Sequence, residues 1–65
     1  MYKLYDVVEA IRDFPKVPKG SKGTIVIVSE TEEDFLVEFN DKESGKLLDL
    51  LEVNKNDLKK CNSLQ

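Results

Sequence analysis

The side chains that could do chemistry in this chain are carboxylates, lysines and one cysteine. Histidine is absent from the sequence, so the usual proton transfer and triad chemistry lacks its main residue, and a Cys/His zinc site is excluded. Cys61 has no histidine to activate its thiol, and the adjacent Glu32 and Glu33 fall in a polar turn rather than in a pocket. We therefore expect a protein that is not an enzyme and that has no catalytic residue, metal site or cofactor.

Charge is unevenly distributed along the chain. Residues 1–22 carry five basic and three acidic side chains, and residues 54–65 carry three and one, whereas residues 23–53 carry two and nine. Nucleic-acid binding is the alternative function, and it would use a strip of lysines from the two flanks: Lys16, Lys19, Lys22, Lys59 and Lys60. The acidic centre disfavours binding to phosphate backbones. We therefore expect another protein as the partner rather than nucleic acid or a membrane.

Short β-strands are the elements that would position these side chains. Runs rich in β-branched and aromatic residues predict strands at residues 6–12, 24–29, 35–39, 47–53 and 58–61. A Pro/Gly loop at residues 15–23 and polar turns at 31–34 and 40–45 separate them, and residues 54–58 are typical of a 3₁₀ turn. The first run is also compatible with a helix, because Val7, Val8 and Ile11 have helical spacing.

The order of these elements predicts an all-β fold, a small SH3-like five-stranded barrel with a single 3₁₀ turn near the C-terminus. A chain of 65 residues has room for one domain, which we expect to span residues 1–65. An open, strongly bent sheet is the alternative architecture. The sequence shows no signal peptide and no apolar run of ~20 residues, and one free thiol suits a reducing compartment, so we expect a cytoplasmic protein.

Several segments resemble a small prokaryotic family, the domain-of-unknown-function family numbered 4926. They are LYDVV at residues 4–8, KGSKGTIV at 19–26, VEF at 37–39, LL at 50–51 and NDL at 56–58. The resemblance implies a stand-alone SH3-like protein without an established activity, of the accessory or toxin-neutralising kind. It also implies charged residues at the positions of Ile27 and Leu36, where this chain is apolar.

A more distant resemblance is to the KOW motif of ribosomal and transcription-elongation proteins. There, as at residues 19–26, a Gly-rich turn leads into a Val-rich strand. Because this similarity concerns strand geometry, it implies a related barrel but not a related function.

The central hairpin carries the candidate partner-binding residues. If Val26 and Val28 point into the core, alternation places Ile25 and Ile27 on the outer face. With Phe35, Val37 and Phe39 inward on the next strand, Leu36 and Glu38 also lie outside, and Leu36 would be diagonal to Ile27. The sequence thus predicts a partner-binding site of Ile25, Ile27, Leu36 and Glu38, used for another protein or for a second copy in a homodimer. Cover by the loop or the last strand is the alternative.

Overall fold

Five antiparallel strands and one 3₁₀ turn form the fold in the computed structural model, which describes residues 1–61. The elements are β1 (Val7–Ala10), β2 (Lys22–Val28), β3 (Asp34–Asn40), β4 (Leu47–Asn54), the 3₁₀ turn (Lys55–Asp57) and β5 (Leu58–Lys60). The all-β prediction is confirmed, and the helical alternative for the first run is wrong. Residues 62–65 of the predicted domain lie outside the described part.

The strands form one sheet in the order β4-β3-β2-β1-β5. One hydrophobic core contains buried side chains from all five strands and from the loop after β1, namely Val8, Ala10, Val17, Ile25, Phe35, Val37, Phe39, Val53 and Leu58. Since both edge strands contribute to this core, the sheet curves around it. The 3₁₀ turn joins the edges: Asn54 caps it by accepting a hydrogen bond from the Asn56 N–H at 2.9 Å, as an N-cap residue does.

A β-bulge in β2 sets which side chains face the core. Ile25 pairs with Val37, but Ile27 pairs with Leu36, so Val26 is the extra residue between them. A bulge adds one residue to one strand and resets the alternation. Ile25 and Val28 therefore both point inward, and Ile27 points outward. Gly23 faces Phe39 and Val28 faces Phe35, so the predicted diagonal placement of Leu36 relative to Ile27 is wrong, and the two residues are directly opposite each other.

The loop between β1 and β2 covers part of the core. Val17 is fully buried in the core and forms backbone hydrogen bonds with Phe14. The loop ends earlier than predicted, because Lys22 and Gly23 lie inside β2 rather than in the turn. Gly20 turns this loop with a φ of +93°, whereas Gly23 does not have a positive φ.

Candidate functional site

The outer face of β2, β3 and β4 carries a group of apolar side chains directed away from the core. We call Ile27, Leu36 and Leu50 the outer patch. Ile27 and Leu36 are directly opposite each other on β2 and β3. Leu50 of β4 lies diagonal to Leu36, because Leu36 faces Glu52 of β4 and Leu50 faces Glu38 of β3. Ile27 is 56% exposed and Leu50 is 47% exposed. Such a contiguous apolar surface is typical of an interaction site.

Ile25 does not belong to this surface, and its predicted outward orientation is wrong. The side chain is 0% exposed and lies in the core opposite Val37. The Val26 bulge is the reason, since it allows β2 to turn Ile25 inward and Ile27 outward without breaking its pairing with β3. Val26, predicted to be a core residue, is only half-buried.

Carboxylates surround the outer patch. Glu38, directly opposite Thr24 and Leu50, is half-buried on the outer face, as predicted. Glu52 is exposed opposite Leu36. Within residues 1–61, neither carboxylate has a lysine or arginine nitrogen within 4.0 Å, unlike Glu9, Glu33, Asp6 and Asp57. The apolar surface is therefore edged by negative charge that the described chain does not neutralise.

Two residues of this surface, Leu50 and Glu52, are absent from the sequence prediction. The run at residues 47–53 is apolar on both faces, so alternation by itself does not say which leucines face outward. Pairing with β3 decides it, because Phe35 and Val37 point inward and stand opposite Val53 and Leu51. No local signal identifies Leu50 and Glu52, because the loop at residues 41–46 is too long to fix the register of the hairpin, and the pairing shifts between Phe39 and Asn40.

The lysines proposed for nucleic-acid binding do not form one uninterrupted strip. Lys22 and Lys59 lie on either side of Glu9 in adjacent strands, and Lys59 contacts that carboxylate at 4.0 Å. Lys60 contacts Asp6 at 3.4 Å. Lys16 and Lys19 lie in the loop between β1 and β2. Carboxylates between the lysines thus offset much of the positive charge that phosphate binding needs.

Lys19 and Lys22 do line a surface cleft of about 330 Å³, together with Asp41 and Lys42. The Ser44 N–H donates to Asp41 Oδ2 at 2.9 Å and lowers the pKa of that carboxyl. Asp41 is ionised at neutral pH, and its negative charge offsets the positive charge of the lysines that line the cleft.

A family model described as a domain of unknown function, DUF4926, matches residues 4–60. The chain belongs to this family. The match extends from the segment before β1 to the end of β5, so it includes every residue of the outer patch. No curated protein and no solved structure is significantly similar to the chain.

Two further features of the DUF4926 chain concern possible sites. Residues 1–61 contain no group of three or more His, Cys, Asp or Glu side chains placed to hold a metal ion. The same part of the chain contains no helix that is long and apolar enough to cross a membrane.

Asp6 fastens the first residues of the DUF4926 chain to β5. Its carboxylate accepts the Lys3 N–H at 2.9 Å and lies 3.4 Å from Lys60 Nζ. The Lys3 hydrogen bond, helped by the Lys60 charge, lowers the pKa of Asp6 below its ordinary value of 3.8. Ionised Asp6 therefore stabilises the fold above that ordinary value, and the contribution is lost as the pH falls through the lower pKa of the folded state.

We expect Asp6→Asn to make stability less dependent on pH between about pH 5 and pH 2 than in the wild type. Urea unfolding followed by circular dichroism across this range measures the effect. Glu30→Gln is the control, because it removes an exposed carboxylate that makes no described hydrogen bond or ion pair. An unchanged pH dependence in Asp6→Asn would contradict the stabilising role of this carboxylate.

Proposed function

We propose that this DUF4926 protein is a small, non-catalytic protein-binding module that contacts its partner through the outer patch. The observation that carries the proposal is the direct pairing of exposed Ile27 with Leu36 on the outer face of the central hairpin. Neither side chain contributes to the buried core. Ile27 is 56% exposed and Leu36 is half-buried, so the pair leaves apolar surface in contact with water, and its burial against a partner would be favourable.

The neighbouring carboxylates indicate the chemistry of the partner. Glu38 and Glu52 are not paired with cations in the described chain, so a partner with lysine or arginine beside an apolar centre would complement them. Complementary charge accelerates association and excludes partners of the wrong charge. A basic protein surface or segment is accordingly the partner that we propose, in the cytoplasm, where the free thiol of Cys61 would remain reduced.

Substitution of the outer patch tests this proposal. We expect Ile27→Glu combined with Leu36→Glu to abolish partner binding, because two charges would enter the apolar centre next to Glu38 and Glu52. Leu4→Glu combined with Ile11→Glu is the matched control, since Leu4 and Ile11 are also exposed apolar residues, 47% and 41% exposed, but lie outside the patch. The tagged variants are purified from the cells that naturally contain the protein, and the co-purifying proteins are identified by mass spectrometry.

The expected result is a partner that is retained by the wild type and by the control but is lost from the patch variant. Circular dichroism confirms that each variant is folded, and Ile27→Glu alone replaces the double variant if the latter is not. Retention of every partner by the folded patch variant would refute the proposal. Light scattering over a range of concentrations identifies the homodimer alternative, in which the patch binds a second copy.

A further inference from the structure

We propose that the free edge of β4 accepts an extended segment of a partner protein as an additional β-strand. We further propose that this segment carries a basic, an apolar, an apolar and a basic residue opposite Asp49, Leu50, Leu51 and Glu52. This inference rests on the proposed protein-binding function and specifies the partner of the same surface.

Pairing across the sheet shows which backbone groups of β4 are available. The Ile25 N–H donates to Asp6 O at 3.0 Å, and Ile25 O accepts from the Tyr5 N–H at 2.7 Å, so Ile25 uses its backbone groups on the side away from β3. Ile25 and Val37 are therefore a non-hydrogen-bonded pair, and the backbone N–H and C=O groups of Val37 point toward β4. They form hydrogen bonds with the backbone of Leu51, the partner of Val37 on β4, since hydrogen-bonded and non-bonded pairs alternate in antiparallel strands. The N–H and C=O groups of Leu50 and Glu52 consequently face the free edge.

The two edges of the sheet differ in how they are protected. β5 has only three residues, and the N-terminal segment lies against it, with Tyr2 Oη donating to Leu58 O at 3.1 Å and Lys60 Nζ donating to Met1 O at 2.8 Å. β4 has eight residues, and no other described strand pairs with its outer side. Long uncovered edges are templates for pairing with another chain.

The Leu50 N–H is the one edge group of β4 that has a described partner. It donates to Asp49 Oδ1 at 2.8 Å, which satisfies the donor while the edge is free. A carbonyl of an incoming strand would replace that oxygen. A lysine or arginine of the same strand, placed opposite Asp49, would then bind the released carboxylate. The hydrogen bond between the Leu50 N–H and Asp49 therefore disfavours pairing with strands that lack the lysine or arginine.

The side chains of β4 define the pattern that the partner needs. Leu50 and Glu52 lie on the outer face, whereas Asp49 and Leu51 lie on the inner face at the edge, where Leu51 packs against the core. Residues opposite each other on neighbouring strands interact on the same face. Two apolar residues would thus cover Leu50 and Leu51, and flanking cations would pair with Asp49 and Glu52.

A second copy of this chain is a poorer occupant than a basic strand. Its β4 would bring another Asp49 and Glu52 and no cation, because residues 47–54 contain no lysine or arginine. Like charges placed along a shared edge repel each other and oppose pairing. Charge complementarity therefore favours a different, basic segment.

Short capped peptides provide the probe. One contains lysine, two valines and lysine in that order, and the other replaces both lysines by glutamate. The ¹⁵N-labelled full chain is titrated with each at low salt. We expect the lysine peptide to shift the amide signals of residues 48–52 saturably and the glutamate peptide to bind at least about tenfold more weakly. Higher salt should weaken the binding of the lysine peptide. Equal binding of both peptides, shifts elsewhere, or no shift overturns the proposal.

Leu50→Pro tests whether the backbone edge is used. Among the backbone hydrogen-bonding groups of β4, proline removes only the Leu50 N–H, which lies outside the ladder with β3, and proline is tolerated at such edge positions. Leu50→Ala is the matched control, since it also loses the leucine side chain but keeps the N–H. We expect the lysine peptide to bind Leu50→Pro at least about tenfold more weakly than Leu50→Ala, which corresponds to ~1.4 kcal/mol. Equal affinities would overturn strand addition.

Charge reversal at Glu52 gives a second readout that does not depend on the fold of the proline variant. We expect Glu52→Lys to lose its preference for the lysine peptide, and unchanged discrimination would contradict the proposed pattern. If the wild type is a dimer and Leu50→Pro is a monomer, a second copy of the chain is the occupant of the β4 edge instead. A natural partner could also bind the Leu50→Pro variant but not the variant that combines Ile27→Glu with Leu36→Glu. That result would overturn the edge proposal alone and would leave the outer patch as the binding site.

Discussion

Replacement of Ile25 by glutamate is expected to unfold this protein. Ile25 is 0% exposed and lies in the core with Val37, and no cation is part of that core. An unpaired buried charge costs several kcal/mol, and single changes above about 4 kcal/mol come from a few causes of this type. A domain of this length is stable by only ~0.05–0.15 kcal/mol per residue. Circular dichroism and the dispersion of amide signals would show the loss of the fold.

Ile27→Glu is the control for this prediction, because the same change is made two residues further along the same strand. Ile27 is exposed on the outer face, and surface changes of this kind usually alter stability by no more than ~0.5 kcal/mol. We expect a folded variant with a urea midpoint close to that of the wild type. A folded Ile25→Glu variant, or an equal loss of stability in both variants, would show that β2 is not turned inward at Ile25.

Gly23→Ala is expected to have the second-largest effect on stability. A Cβ atom at this position would lie 2.7 Å from Val37 Cγ1, 2.8 Å from Glu38 O and 2.9 Å from Phe39 Cδ1. One of these atoms belongs to the backbone of the neighbouring strand, so rotation of side chains alone does not relieve the overlap. Overpacking of this kind costs about 1–3 kcal/mol, even though alanine suits a strand better than glycine. Equilibrium unfolding in urea measures the loss.

A double-mutant cycle with Val37→Ala tests whether the overlap with Val37 causes this loss of stability. If the overlap with Val37 Cγ1 contributes to the loss, the double variant Gly23→Ala with Val37→Ala is more stable than the sum of the single changes predicts. Coupling energies of residues in contact are about 0.5–3 kcal/mol. Strict additivity, or a Gly23→Ala variant as stable as the wild type, would mean that the close approach of β2 and β3 does not require glycine.

The outer patch and the free edge of β4 share Leu50 and are parts of one continuous surface. A strand added to β4 would extend the sheet, and its outward side chains would continue the face that carries Ile27 and Leu36. Backbone pairing would contribute affinity, and side chains on alternate positions would contribute specificity. As we propose, this arrangement would let a small domain recognise a partner selectively through an open surface.

Much of the fold follows from local sequence. The alternation of Phe35, Val37 and Phe39 predicts β3 and its inward face, and all three are buried. Residues 54–58 predict the 3₁₀ turn, since the Asn54 side chain is suited to cap it, and the structure shows that cap. Val17 is recognisable as an apolar residue that must be covered within a polar loop. In each case a few neighbouring residues contain the information.

The candidate site was only partly predictable, because it depends on the pairing of strands rather than on a few neighbouring residues. Nothing in the β-branched run from Thr24 to Val28 marks Val26 as the bulge, because isoleucine and valine suit either face of a strand. The error at Ile25 follows directly, since one extra residue exchanges the faces on one side of the bulge. Ile27 and Leu36 are outward, as predicted, but they stand opposite rather than diagonal.

The strand-forming segments, the turn residues between them and the charge of the centre can be predicted from the sequence, because propensity and composition are local properties. Three features could not be predicted in this way: which isoleucine enters the core, why position 23 requires glycine, and which leucines of β4 lie at the free edge beside unpaired carboxylates. These features depend on register and on the contact of strands distant in the chain, where a shift of one residue reverses every face at little cost to local preference.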